Sequence, residues 1–274
     1  MKGVEPMLIT QDLHMHTHLS LCAEKEATLQ AYLDQAESLG ISTLGIADHL
    51  WDDKVGLHDE NGSWYGFYKP QNMEHVLKAR EEFKSCEARG LRVLFGAEVE
   101  YDSVRGDIAL SEEAAEILDF VIVPNSHTHL VMPREYYEPY ETHARFMLNA
   151  AKNILKSPLV RYVAAIAHPF DAVCCPYDRN VLYSLISKSE YKDLFCEASE
   201  KNVAMEINTS TFLNKTDEEI KAKPIWDIMY LAKECGCKFT FGSDCHHPQE
   251  QKSILTAKFI CNYLDLTEDD ILIL

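Results

Sequence analysis

Three histidines stand at alternate positions in one short segment of the chain. His14, His16 and His18 lie in the sequence QDLHMHTHLSLC, although the chain has only 12 histidines among 274 residues. Residues 7–16 predict a β-strand, on which side chains two residues apart share a face and are separated by about 6 to 7 Å. Two imidazoles in this arrangement can bind one metal ion. Ordinary polar residues at a strand end are the alternative interpretation.

Strand-like and helix-like segments alternate along most of the chain, which predicts βα units around a parallel sheet. Strands are predicted at 7–14, 42–48, 91–100, 119–126, 162–168, 203–208 and 238–244. Apolar residues at three- and four-residue spacing predict helices at 28–38, 73–88, 111–118, 137–155, 180–199, 218–235 and 249–263. Seven strand and helix pairs without a linker favour one barrel-like α/β domain over residues 1–274.

Each predicted strand ends in a side chain that can bind metal. In order along the chain these are His14 and His16, Asp48 and His49, Glu98, His127, His168, Glu206 and Asn208, and Asp244 and His246. Parallel α/β barrels carry their active sites at these strand ends. If each of these histidines had only a structural role, their repeated placement at the strand ends would be a series of independent coincidences. Imidazoles and carboxylates suit Zn, Mn or Fe, and the set exceeds what one ion can use, so we expect a multinuclear hydrolytic site.

Composition excludes several other classes of protein. The formal charge is −18, from 26 basic and 44 acidic residues, so we expect no stable binding of duplex nucleic acid or of anionic membranes. No apolar run approaches the roughly 18 to 20 residues that span a bilayer, and MKGVEPMLIT is not typical of a signal peptide. We therefore expect a cytoplasmic protein. Nine cysteines, an odd number, indicate reduced thiols.

The ordered motifs DLHMHTHLS, IADH, GAEVE, SH, AHPF and FGSDCH resemble those of the PHP family, named for its polymerase-associated and histidinol phosphatase members. The resemblance covers residues 12 to about 248. It implies a distorted TIM-like barrel of about seven βα units with parallel strands and two or three divalent metal ions. It also implies hydrolysis of phosphate esters. We expect a metal-dependent phosphoesterase acting on a small phosphomonoester, either histidinol phosphate-like or a nucleotide.

The resemblance also implies a set of metal ligands. They form three groups, namely His14, His16 and Asp244 for a first ion, Glu98 bridging to a second ion with His127 and His168, and His49 with His246 for a third. Family members have a further histidine just after the HxHT motif, where this chain has Cys22. A thiolate can bind zinc. His18 is a rival donor for the third ion, and His129 could replace His127.

The expected catalytic residues are Glu98, Asp244 and His246. Two ions bridged by Glu98 can generate hydroxide from a shared water, which then attacks phosphorus. The third ion or Arg134 would neutralise charge on the phosphoryl group. Asn208 is expected to contact substrate. Since the ions supply positive charge, an acidic protein can still bind an anionic ester.

Several further interpretations of the sequence are open. Residues 50–72 carry several aromatic side chains and match neither the periodicity of a helix nor that of a strand. They predict either a loop that closes over the site as a lid or a loop that packs on the protein surface. An amidohydrolase also opens with HxH, but no lysine ends the fourth predicted strand here. The sequence is also compatible with a phosphodiesterase acting on short oligonucleotides and with a non-catalytic metal-binding module.

Overall fold

Nine of the eleven strands in the described part of the chain form a ring of parallel neighbours. The computed structural model describes residues 9–57, 65–172, 175 and 178–274. Within this part of the chain the strands are β1 (Gln11–Met15), β2 (Thr43–Ile46), β3 (His49–Leu50), β4 (Arg92–Phe95), β5 (Ala97–Val99), β6 (Tyr101–Asp102), β7 (Asp107–Ile108), β8 (Val121–Pro124), β9 (Val163–Ala167), β10 (Ala204–Asn208) and β11 (Phe239–Gly242).

The pairing of these strands confirms the distorted TIM-like barrel. One parallel sheet has the order β1-β2-β4 and another β11-β10-β9-β8-β5-β3. Two residues separate β2 from β3 and Gly96 separates β4 from β5, so each pair occupies one barrel position and about seven positions result. The ring returns to β1 because Asp244 N donates to His14 O at 2.7 Å and His16 N donates to Cys245 O at 3.1 Å. Strands β6 and β7 form a separate antiparallel ribbon.

Helices cover the outside of this ring. They are α1 (Leu29–Leu39), α2 (Tyr65–Tyr68), α3 (Met73–Phe83), α4 (Glu112–Ala115), α5 (Thr128–Val131), α6 (Tyr140–Lys156), α7 (Arg179–Ser184), α8 (Lys188–Glu200), α9 (Asp217–Lys221), α10 (Ile225–Glu234) and α11 (Ala257–Tyr263). Helix α1 shows the predicted glycine stop, since Gly40 has φ of 73° and its N–H caps the last turn. In the described part of the chain, no helix combines the length and apolar character needed to cross a bilayer.

Three predicted helices are divided in the structure or begin as a different kind of helix. The helix predicted over 180–199 is two helices, α7 and α8, because Ser187 and Glu190 form a capping box that starts α8. The helix predicted over 218–235 is likewise divided into α9 and α10 at Pro224, which has no N–H to continue a helix. The one predicted over 249–263 begins as the 3₁₀ segment Pro248–Thr256 and becomes α-helical only in α11.

The barrel interior has an apolar layer and a polar layer. Alternate residues of β10, namely Ala204, Glu206 and Asn208, share one face. Ala204 belongs to a small buried apolar cluster with Leu13, Ala47, Leu94, Phe120, Ile122, Ala165 and Ala167. Glu206 and Asn208 belong to the polar layer nearer the carboxyl ends of the strands. Gly242 allows the close approach there, since a Cβ at this position would lie 2.3 Å from the Cβ of His14.

The region expected to act as a lid is only partly described. Residues 58–64, which include His58 and Trp64, lie outside the described residues, as do residues 1–8 at the start of the first predicted strand. Trp51 and Tyr68 are buried in the main apolar cluster. The ring of Phe67 meets His49 edge-on at 5.3 Å between centroids. A lid function for residues 50–72 stays a prediction.

Candidate metal centre

Side chains from every barrel position converge at the carboxyl ends of the strands. His14, His16, His49, Glu98 and His168 are all buried, with exposed fractions of 6% or less. The convergence also includes His127, Asp244, His246 and, from the loop after β1, Cys22. Burying so many ionisable groups is costly unless they are paired or bind metal.

The first donor group comes from β1, β5 and the end of β11. His14 Nε2 lies 3.1 Å from His16 Nε2, and each of these atoms lies 3.6 Å from Glu98 Oε2. Asp244 Oδ1 is 3.6 Å from His14 Nε2 and 3.2 Å from His16 Nε2. Tetrahedral zinc with bonds of about 2.0 to 2.1 Å places its donors about 3.3 Å apart. These separations fit one divalent ion.

The second donor group uses the other oxygen of the same glutamate. Glu98 Oε1 lies 2.9 Å from His168 Nε2 and 3.4 Å from His127 Nε2. The two carboxylate oxygens of Glu98 therefore face two different donor groups. In this position the carboxylate would be able to bind two metal ions at once.

A third donor group lies beside the first. Cys22, His49, His246 and His16 each offer a donor atom within 4.8 Å of the others. Desolvation raises the pKa of the Cys22 thiol, but hydrogen bonds with His246 and His49 outweigh it and lower that pKa to about 7. The rival His18 instead lies with its Nε2 3.4 Å from the Glu82 carboxylate.

Two buried atoms in the centre lack a hydrogen bond. Glu98 Oε2 and His49 Nδ1 lie 2.9 Å apart, yet in the described part of the chain neither makes a hydrogen bond. Buried polar atoms in native proteins almost always have a partner. A divalent ion would supply a partner for both atoms. The residues present therefore fit a polynuclear metal centre.

The electrostatics favour the ligand forms of two key residues. Burial alone would raise the pKa of Glu98, but the charges of His127, His49 and His14 hold it well below its usual value. Burial, reinforced by repulsion from His49 and His246, holds the pKa of His16 well below the ordinary value for histidine. Glu98 is therefore ionised and His16 is neutral near pH 7, and these are the forms that bind metal.

Hydrogen bonds behind the donors fix their orientation. Glu206 Oε1 lies 2.8 Å from His14 Nδ1, and Glu206 Oε2 accepts from the backbone N of His168 at 2.7 Å. Ser126 Oγ lies 2.6 Å from His168 Nδ1. Contacts of this kind leave the Nε2 atoms available to bind a metal ion and raise ligand basicity.

Sequence reasoning missed Glu100 in this role. Glu100 Oε2 lies 2.8 Å from His127 Nδ1 and also accepts a short hydrogen bond from the Tyr68 hydroxyl. The signal is present in GAEVE, since Glu98 and Glu100 stand two residues apart and share a face of the strand. The motif assigns only Glu98, because a ligand and the residue that orients a ligand have the same chemistry in sequence.

Other residues singled out in the sequence lie around this centre. Asp48 accepts hydrogen bonds from Thr17 N at 2.6 Å and from Ser20 Oγ at 2.8 Å, so it holds the loop after β1. Asn208 Nδ2 donates to Asp244 Oδ2 at 2.7 Å. Arg134 is exposed in a short 3₁₀ helix, and its contact with substrate stays a prediction. The ring of His129 lies 5.7 Å from that of His127, outside the donor groups.

A pocket adjoins the metal centre between the segments that follow β9 and β10. Its lining includes His168, Glu206 and Asn208 on the side of the centre, and Arg179 and Lys223 further out. Sequence reasoning identified neither cation, because both lie in helical or connecting segments beyond the strand ends.

The fold and site define a class: an α/β barrel of parallel strands with a candidate polynuclear metal centre at their carboxyl ends. The PHP domain model matches residues 12–210, and the chain belongs to this family, which confirms the resemblance seen in the sequence.

The chain is similar to proteins named as phosphatases. A "Probable phosphatase" of Clostridium novyi is 26% identical over 236 residues, which cover 85% of this chain and 78% of that protein. A "Probable phosphatase" of Caldicellulosiruptor bescii is 29% identical over 258 residues, 94% of this chain and 88% of that one. The histidinol phosphate phosphatase of Lactococcus lactis, crystallised with zinc, L-histidinol and phosphate, has a TM-score of 0.63 at 19% identity, with 94% of each chain covered. At this identity the likeness to the crystal structure is one of fold.

Proposed function

We propose that the chain is a metal-dependent phosphoesterase that hydrolyses a small phosphomonoester. The observation that carries the proposal is the position of Glu98, whose Oε1 faces His127 and His168 while its Oε2 faces His14 and His16. The names of the relatives from Clostridium novyi and Caldicellulosiruptor bescii support the reaction class.

Two or three Zn, Mn or Fe ions would be held by the three donor groups. His14, His16, Asp244 and Glu98 would hold the first ion, Glu98, His127 and His168 the second, and Cys22, His49 and His246 the third. Bound ions would polarise the phosphoryl oxygens and lower the pKa of a water molecule. Their positive charge also offsets the strongly acidic balance of the chain.

Two residues at the end of β11 are assigned to proton movement. The Asn208 amide holds Asp244 Oδ2, so the carboxylate presents Oδ1 to the first donor group and can accept a proton from the attacking water. His246 Nδ1 lies 2.9 Å from the backbone carbonyl of Asp244. This contact leaves Nε2 of His246 to bind the third ion or to protonate the leaving oxygen.

Phosphate release from a panel of esters tests the proposal. The panel contains histidinol phosphate, nucleoside monophosphates and bisphosphates, 4-nitrophenyl phosphate and a phosphodiester, each with Mn or Zn added. We expect release from at least one monoester, and loss of that release in Glu98→Gln. Glu200→Gln, an exposed change in α8, is the matched control and retains activity.

Three outcomes would contradict the proposal. Release that persists in Glu98→Gln would show that the hydrolysis does not depend on this centre. Cleavage of the diester alone, with no monoester turned over by the metal-loaded chain, would favour a phosphodiesterase. Hydrolysis of a ring amide without phosphate release would favour an amidohydrolase.

A further inference from the structure

The pocket beside the metal centre is placed to hold part of a substrate. His168 and Glu206 line it, and both also belong to the centre, where His168 faces Glu98 and Glu206 orients His14. A group bound in this pocket would therefore lie next to a phosphoryl group bound by the ions. It is the natural position for the leaving alcohol of the ester.

One wall of the pocket is apolar and includes two aromatic side chains. Trp226 and Phe212 stack with ring centroids 5.2 Å apart and an interplanar angle of 28°, and Ile207 and Met229 adjoin them. All four side chains are buried. The indole N–H of Trp226 already donates to Ile220 O at 2.6 Å, so the ring needs no polar partner from a ligand. A preformed wall of this kind suits a planar apolar group.

The charged groups of the pocket are not balanced locally. Asp171 forms an ion pair with Arg179, and Glu206 accepts hydrogen bonds from His14 and from the backbone of His168. Both carboxylates therefore have protein partners. Lys223 is partly buried, and its ammonium group makes no ion pair or hydrogen bond with any residue in the described part of the chain. A ligand with an anionic group would give this cation a partner.

We propose that this pocket binds the leaving alcohol of the ester, and that this alcohol carries a flat apolar ring and a second anionic group that pairs with Lys223. The inference rests on the proposed phosphomonoester hydrolysis. In that reaction water forms the new O–P bond, the P–O bond to the ring-bearing group breaks, and a proton passes to the leaving oxygen. The pocket selects against a leaving group that carries an ammonium, because its two carboxylates are already paired and its remaining charge is positive.

A matched series of esters tests the charge preference. The full metal-loaded chain is assayed with 4-methylphenyl phosphate, 4-(carboxymethyl)phenyl phosphate, 4-(phosphonomethyl)phenyl phosphate and 4-(aminomethyl)phenyl phosphate. A methylene group separates each charge from the ring, so the leaving phenols are chemically similar. We expect kcat/KM for an anionic ester to exceed that for the neutral ester by about tenfold, the effect of one charged hydrogen bond. The carboxylate and phosphonate arms distinguish the two kinds of anion.

Lys223→Gln identifies the residue responsible. It should remove the preference for the anionic esters and leave kcat/KM for 4-methylphenyl phosphate within about twofold. Lys215→Gln is the control, because Lys215 is a nearby exposed cation paired with Glu219 and does not line the pocket. Calorimetric binding of 4-hydroxyphenylacetate, the product of the carboxylate ester, should weaken in Lys223→Gln and not in Lys215→Gln.

The possible results separate this inference from the proposed function. An equal decrease in kcat/KM for all four esters in Lys223→Gln would mean that Lys223 contacts the phosphoryl group, and it would overturn the inference. A preference for the aminomethyl ester, or no preference, would overturn it while leaving the phosphatase intact. No phosphate release from these esters or from the wider panel would overturn the proposed function and this inference with it.

Discussion

The two ends of the barrel interior differ sharply in chemistry although the same strands build both. Towards the amino ends, Leu94, Phe120 and Ala204 belong to a compact apolar cluster. Towards the carboxyl ends, Glu98 and Glu206 lie with the histidines, and they are equally buried, at 1% and 2% exposed. On β10 the change from Ala204 to Glu206 takes a single step of the strand repeat.

Because of this difference, we expect the amino ends to contribute mainly to stability and the carboxyl ends mainly to function. Burial of apolar surface at the amino ends stabilises the fold under any solution condition. Burial of carboxylates and imidazoles at the carboxyl ends opposes folding until each group has a partner. Divalent ions are the partners that the donor separations fit. The amino ends should therefore control stability alone, whereas the carboxyl ends should couple stability to metal and activity.

The largest expected effect comes from removing the metal. Dialysis against a chelator should lower phosphate release by about 10³-fold or more, because no protein side chain replaces the charge and the activated water that the ions supply. The melting temperature should fall as well, since the ions bind the folded state and not the unfolded chain. Metal content by plasma mass spectrometry, melting temperature and release are measured on the same samples.

Adding Zn or Mn back should restore phosphate release and the melting temperature together. An unchanged melting temperature in protein shown to be metal-free would mean that the side chains at the carboxyl ends need no metal for stability. The proposed difference between the two ends of the barrel would then be wrong.

A core change at the amino ends should give the opposite result. The Phe120 ring fills the space beside Gly45 and Gly96, where an added Cβ would lie within 3 Å of it. Phe120→Ala removes a buried ring and should lower the free energy of unfolding by about 3 to 5 kcal/mol. Metal stoichiometry and the turnover of the folded fraction should stay close to wild type. Urea unfolding and steady-state kinetics well below the transition check the two expectations.

Phe120→Leu is the milder companion, with a smaller loss of stability and the same turnover. Loss of bound metal in either variant, at temperatures where the protein remains folded, would show that the two layers are coupled.

A smaller effect is expected for the carboxylate that orients His14. Glu206→Gln keeps the shape of the side chain but removes the charge facing His14 Nδ1 at 2.8 Å. Such changes typically weaken metal binding by about 10- to 100-fold. Competition with a chromophoric chelator measures the affinity, and turnover should recover when the metal concentration is raised.

Glu200→Gln provides the baseline for a surface change in the same assay. An affinity equal to wild type in Glu206→Gln would assign Glu206 to the pocket rather than to the support of the centre.

The sequence predicted the ligand-type residues at the carboxyl ends of the strands better than the residues that orient them or the limits of the helices. The barrel and the strand-end positions of Glu98 and His168 follow from periodicity and from the repeated placement of ligand-type residues. The supporting roles of Glu100 and Ser126 did not follow, because a residue that orients a ligand looks in sequence like any polar neighbour. The helix breaks depend on the capping box at Ser187 and on the missing backbone N–H of Pro224, and apolar periodicity detects neither.

The smallest effect concerns a buried histidine outside the donor groups. His75 lies in α3 and is 7% exposed, and its Nε2 has no hydrogen bond partner in the described part of the chain. Burial, aided by the charge of Lys78, lowers the pKa of His75 to about 4. The unfolded chain binds this proton more readily, so the contribution of neutral His75 is complete above about pH 6.5 and is lost as pH falls towards 4. At about pH 5 the loss should amount to about 1 to 2 kcal/mol.

His75→Gln should remove this acid sensitivity. Urea unfolding of metal-free protein at neutral pH and at about pH 5 should show a smaller decrease in the free energy of unfolding for the variant than for wild type, by about 1 to 2 kcal/mol. Metal-free protein is needed because protons also compete with the ions at the donor groups. An equal decrease in both proteins would mean that acid sensitivity arises at the carboxyl ends of the barrel, and that a lone buried histidine in the helical layer adds nothing to it.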